Sequence, residues 1–158
     1  MESFDLSTFL PYRLAILSER ISRRLALEYG RSHGISVPEW RVLVHLARSK
    51  QASVREIHSY ANLEKPRVSR TVAKLQAAGM VRKVTGKQDS RLVEISLTEK
   101  GQTVLGEILP AALEFEDRLV QALSAEEHAM CIEIAEKLHA VLDDDPLAPM
   151  RSQLDTPD

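Results

Sequence analysis

The sequence predicts a mainly α chain with one small β-hairpin, an α+β arrangement in which a compact head sits on long end helices. Three observations lead there. Apolar residues recur at steps of three and four over six stretches, Ser-x-x-Glu boxes open three of those stretches, and two short runs flank a charged turn at Gly86 to Ser90. The 158 residues can bury a core, and they divide into an N-terminal helix (1–35), a head (36–100), C-terminal helices (101–143) and an acidic tail (144–158).

From Leu10 to about Tyr29, the residues Leu10, Leu14, Leu17, Ile21 and Leu25 trace one side of a long amphipathic helix, started near Pro11 and stopped by Gly30 and Gly34. Its other side holds Arg13, Arg20, Arg23 and Arg24, a solvated face or partners for Glu19 and Glu28. Ser36 and Glu39 box the next helix around Pro38. Trp40, Leu43, Val44 and Ala47 form its buried face, and it ends near Ser49.

Ser53 and Glu56 cap a short helix with Val54, Ile57 and Ala61 inward, and Asn62 and Leu63 make a tight turn. The helix beginning near Glu64 accepts Pro66 only in its first turn, where a missing N–H costs little. Val68, Val72 and Leu75 look inward at i, i+4 and i+7. Arg67, Arg70 and Lys74 take the opposite face, with Ser69 and Thr71 beside them. Ala77, Ala78 and Gly79 end this helix. The strands Met80 to Thr85 and Leu92 to Leu97 follow, the second with Val93, Ile95 and Leu97 on one apolar face. Thr98 then caps a helix to about Ala122, with Leu105, Ile108, Ala112, Phe115, Leu119 and Ala122 on its stripe and a kink at Pro110. Ser124 and Glu127 open the last helix, whose Met130, Ile134, Leu138 and Val141 share a face until about Asp143. The end helices carry more apolar stripe than one head can cover, so a second copy is the simplest partner. The proline-rich, acidic tail has no period and is expected to be mobile.

Charge is distributed unevenly. Ser53 to Arg91 holds nine Lys or Arg against three acids, a local +6 in a chain of net −2. A basic head on an acidic remainder points to nucleic acid. Lys65 and Pro66 at the helix start, then Arg67, Ser69, Arg70, Thr71 and Lys74, with Lys87 and Arg91 on the hairpin tip, are the candidate DNA contacts. Arg67 and Arg70 suit base edges, where a bidentate arginine contributes about 1–3 kcal/mol of discrimination. Lys65, Ser69, Thr71 and Lys74 suit phosphate.

Other chemistries find little support. One cysteine, Cys131, excludes an intrachain disulfide, and five scattered histidines form no ligand cluster. No catalytic or metal residue is assigned, no cofactor is implied, and an enzyme is disfavoured without a phosphate-cradling glycine loop or nucleophile motif. No signal peptide or membrane-length run is seen, so no membrane partner is expected and a cytoplasmic location is.

The run Pro38-Glu39-Trp40-Arg41-Val42-Leu43, then Val68-Ser69-Arg70, Leu75-Gln76-Ala77-Ala78-Gly79, Asp89-Ser90-Arg91 and Leu97-Thr98-Glu99-Lys100-Gly101, resembles the MarR family of bacterial transcription regulators over about Leu10 to Leu142. The resemblance implies a winged helix-turn-helix in a homodimer, with binding to an operator in double-stranded DNA relieved by a small-molecule effector or an oxidant. It carries over Asp89 and Arg91 as the wing motif, Asp89 holding an arginine in place. It also maps an effector pocket onto Tyr12, Arg13, Ile16, Trp40, Val44 and Phe115, with Arg20 nearby, for which an aromatic carboxylate or its coenzyme A thioester is the expected ligand. Oxidant sensing fits less well, because Cys131 lies in the last helix among acids whereas peroxide-sensing relatives carry their cysteine near the N-terminus. A winged-helix module for protein contact or general DNA compaction is the alternative function, and it predicts no operator preference.

Overall fold

The computed structural model describes residues 4–61, 63–85 and 93–151. The order is α1 (Leu10–His33), α2 (Val37–Ser49), β1 (Gln51–Ser53), α3 (Val54–Ala61), α4 (Lys65–Ala77), β2 (Val81–Thr85), β3 (Val93–Leu97), α5 (Glu99–Val120) and α6 (Ala125–Asp143).

The caps explain most helix starts. The Ser53 N–H donates to the Glu56 carboxylate at 2.6 Å and the Glu56 N–H donates back to the Ser53 hydroxyl at 3.2 Å; Ser124 and Glu127 repeat the exchange at 2.8 and 3.2 Å. The hydrogen bonds from Ser53 hold the Glu56 carboxyl below its usual range. Ser36 likewise donates its N–H to Glu39 at 2.8 Å.

Two of the expected helix ends need correction. Gly30 does not stop α1, which runs on to His33 and ends where Gly34 adopts φ 65° and returns its N–H to the Gly30 carbonyl at 3.0 Å. A glycine in a right-handed conformation is tolerated within a helix; only the left-handed one terminates it. Pro110 lies inside α5, and the helix ends at Val120, so Ala122 falls beyond its end.

The core gathers around α2. Val42, Leu43, His45 and Leu46 are buried there, whereas Trp40 and Val44 are half-buried and Ala47 is exposed, so the inward face is rotated from the one expected. Ile57 and Ala61 of α3, Val68, Val72 and Leu75 of α4, Val81, Ile95 and Leu97 of the sheet and Val104, Leu105 and Ile108 of α5 complete it. Full burial of such side chains stabilises by about 1.5–3 kcal/mol each. On α5 the stripe continues to Phe115, but Leu119 is exposed.

The sheet has three antiparallel strands in the order β1-β3-β2. β2 and β3 are the expected hairpin, with Val81 opposite Leu97 and Thr85 opposite Val93. Ile95 and Leu97 face the core, but Val93, paired with Thr85 at the end of the ladder nearest the connecting turn, is exposed. β1 pairs with the other edge of β3, Ala52 opposite Ile95. Three residues are too short to show an alternating pattern, which is why the sequence does not reveal this strand.

The junction between α4 and α5 is tightly built. Gly79 adopts φ 73°, and the Thr98 hydroxyl donates to its carbonyl at 2.6 Å while accepting from the Gly101 N–H at 3.1 Å. The Lys100 ammonium donates to the Ala78 carbonyl at 2.7 Å. A Cβ on Gly101 would lie 2.1 Å from the Met80 carbonyl oxygen, so only glycine fits there.

Candidate nucleic-acid interface

Helix α4 separates its residues into two faces. Val68, Val72 and Leu75 are sealed into the core, which fixes the helix about its own axis. Lys65, Pro66, Arg67, Ser69, Arg70 and Lys74 are thereby exposed. Thr71 is not among them. It is 6% exposed and its hydroxyl donates to the Arg67 carbonyl at 2.8 Å, so Thr71 is a buried helix residue and not the phosphate contact its polarity suggests. The reason is angular: Thr71 follows Val68 by three positions and precedes Leu75 by four, which puts it on the buried side.

The cations of α4 differ from those of α1 in their partners. On α1, Arg23 pairs with Glu19 at 2.5 Å and Arg24 pairs with Glu28, each within one turn. Lys65, Arg67, Arg70 and Lys74 have no ion pair or hydrogen bond from their side chains among the described residues, so this stripe presents uncompensated positive charge. Arg55 on α3 and Lys83 on β2 are also exposed without a partner among the described residues. Both belong to the +6 stretch, and the charge count was the signal that could have singled them out. Arg82 is held by its neighbour strand, donating to the Ser96 hydroxyl at 3.2 Å. Lys87, Asp89 and Arg91, with the Gly86 to Ser90 turn, lie outside the described residues, as does Asn62.

The end helices are left with uncovered apolar surface. Leu10, Leu14 and Leu17 of α1 are about half exposed at 51%, 44% and 53%, and no residue of α6 is buried. A groove of about 1,020 Å³ runs between α1, α2 and α6, walled by Leu17, Ile21, Leu25, Met130, Ile134 and Leu138. Cys131 is exposed on its α6 wall.

The residues suggested for an effector pocket are dispersed. Tyr12 and Ile16 are exposed on α1 with Arg13 and Arg20, and of the seven only Trp40 lines the groove between α1, α2 and α6. Trp40 stacks on buried Tyr29 with ring centroids 5.0 Å apart and planes 10° from parallel. Val44 is half-buried against the core. Buried Phe115 is flanked by the Arg24 and Arg118 guanidinium groups, 5.2 and 5.7 Å from its ring centroid, a cation–π pair. No group of three His, Cys, Asp or Glu residues among the described ones is placed to hold a metal ion. No helix among them is long and apolar enough to cross a membrane.

Comparison with known proteins agrees with this geometry. Residues 33–92 match the family described as the MarR family. The chain is 25% identical to the HTH-type transcriptional regulator BilQ of Clostridioides difficile over 64% of this chain and 66% of that one. It is 32% identical to the uncharacterized HTH-type transcriptional regulator YwoH of Bacillus subtilis, over 65% of this chain and 74% of the relative. Its fold is shared with Sco3205, a MarR family transcriptional regulator of Streptomyces coelicolor solved in complex with DNA, at a TM-score of 0.79 and 24% identity over 96% and 97% of the two chains. With a winged-helix head, a cationic fourth helix and these relatives, the chain belongs to the MarR family of transcriptional regulators.

Proposed function

We propose that this regulator is a homodimeric repressor that binds a palindromic operator through α4 and releases it when a small ligand binds. The observation that carries the reading is the stripe of unpaired cations on α4, set opposite three sealed apolar residues. Arg67 and Arg70 reach base edges, and Lys65, Ser69 and Lys74 meet phosphate. Lys87 and Arg91 of the wing reach the neighbouring minor groove or its backbone. A second copy covers the half-exposed stripes of α1 and α6, and places paired recognition helices in successive major grooves about 34 Å apart. Residues 36–100 act as the DNA-binding unit and 1–35 and 101–143 as the dimerisation region, in a protein of the cytoplasm.

The effector is an aromatic carboxylate or its coenzyme A thioester. Support comes from the aromatic and cationic groups near α1, above all Phe115 between Arg24 and Arg118. Calorimetry against a panel of such acids and thioesters tests it, and an absence of heat with all of them removes it.

The deciding experiment is a fluorescence-anisotropy titration against the DNA upstream of the protein's own gene and against a scrambled duplex, across salt. Tight, salt-steep binding to the native duplex alone is the expected result. Equal binding to both duplexes would favour the architectural or protein-contact role.

A further inference from the structure

A second groove, of about 600 Å³, opens where the C-terminal end of α2 meets β3 and the first half of α5. It shares no residue with the groove between α1, α2 and α6, nor with the Tyr12 to Phe115 set. Its size falls within the range of small-molecule sites. The walls are aliphatic: Leu46, Leu97, Leu105 and Leu109 line it and no aromatic residue does. Lys50 and Gln102 supply the polar rim, and no acid lies in the lining.

Two departures from local preference meet at this groove. Lys50 adopts φ 65° and ψ −42°, the sole non-glycine with positive φ among the described residues, and its ammonium has no partner among them. Such strain tends to gather at binding sites. Gly106 sits inside α5, where glycine weakens a helix, yet a Cβ there would meet nothing within 4 Å. Packing therefore does not demand glycine at 106; what its missing side chain leaves is groove volume. Along α5, Gln102 to Leu109 spans about 10.5 Å at the helical rise.

We propose that this groove binds a medium-chain aliphatic carboxylate, its chain laid over the four leucines and its head on the Lys50 ammonium. The Gln102 amide donates a second hydrogen bond to the same head. Since the groove joins α2 of the head to α5, the ligand fixes the angle between them; that regulatory consequence rests on the DNA-binding reading above, whereas binding itself does not.

The test uses the full chain, titration calorimetry without DNA, and octanoate and octanol as probes. Octanoate is expected to bind once per chain, with octanol at least tenfold weaker for want of an anion. Lys50→Gly removes the cation and relieves the backbone, and Gly106→Leu fills the groove. Each is expected to hold or raise the melting temperature and to weaken octanoate at least tenfold. No octanoate binding to the native protein, equal affinity for octanol, or unchanged octanoate affinity in both variants would overturn the proposal. Octanoate binding lost in the variants, even by a protein that discriminates no operator, would uphold the site while sinking the regulatory reading.

Discussion

The Thr98 hydroxyl donates to the Gly79 carbonyl at 2.6 Å, and so ties the turn after α4 to the start of α5 across nineteen residues of chain. The same oxygen accepts from the Gly101 N–H. Thr98→Val removes both bonds at nearly constant volume. The lost cap and the carbonyl left without its donor should together cost about 1–3 kcal/mol in urea unfolding. Thr98→Ser should retain most of that stability.

Gly101→Ala is expected to be more damaging. The added methyl meets the Met80 carbonyl oxygen at 2.1 Å, and neither backbone can yield without disturbing the first turn of α5 or β2. A loss of about 3 kcal/mol, read by thermal unfolding, is expected. A stable Gly101→Ala protein would mean that this junction is looser than it looks.

His45 should make stability depend on pH. Its ring is 2% exposed, lies tilted by 30° against Tyr60 with centroids 4.4 Å apart, and has no hydrogen-bond partner on either nitrogen among the described residues. Burial pushes its pKa below the usual 6.5, against a weaker opposing pull from Glu56. Below about pH 6.5 the unfolded chain takes up a proton that the folded one resists. Stability present above that pH should therefore fall by up to about 1.4 kcal/mol per unit on acidification, until the folded ring titrates too. His45→Phe, which keeps a ring against Tyr60, should flatten this part of the profile in urea titrations at pH 7 and pH 5.5.

For DNA, Arg70→Ala and Lys74→Ala should behave differently. Loss of a base contact at Arg70 lowers operator preference, equivalent to about 1–3 kcal/mol, while leaving random duplex less affected. Loss of a phosphate contact at Lys74 weakens both duplexes alike. Anisotropy titrations on native and scrambled DNA separate the two, and identical losses for both variants would refute the division of roles.

If about four phosphates are neutralised per protomer, the dimer's log affinity should fall against log salt with a slope of roughly −7. Anisotropy at several salt concentrations gives that slope. A shallow one would deny the cationic stripe its part.

Much of this architecture was legible because capping and periodicity are local. Ser53 with Glu56 and Ser124 with Glu127 mark helix starts within four residues, and Val68, Val72 and Leu75 set the facing of α4. What escaped depends on distant chain. β1 exists because β3 offers it an edge, and Ala47 is exposed because His45 and Leu46 take the interior side of α2. The polarity of Thr71 points outward, whereas its spacing from Val68 and Leu75 places it inside, where it is buried. The α1 arginines were legible down to the acids that pair with Arg23 and Arg24. The effector set was not, since Tyr12, Trp40 and Phe115 depend on how three helices meet.

Helix α6 buries none of its nineteen residues within its own chain. Most of a helix's stability in a protein comes from packing an apolar face rather than from propensity or caps, and α6 has little such packing within its own chain. Under the dimer reading, α6 is therefore a product of association as much as of folding, and its helicity becomes a function of protein concentration. Dilution should bleach helical circular dichroism together with the dimer. Occupancy of the operator should then climb more steeply than linearly with the number of copies, so that the regulator behaves as a threshold counter of its own abundance.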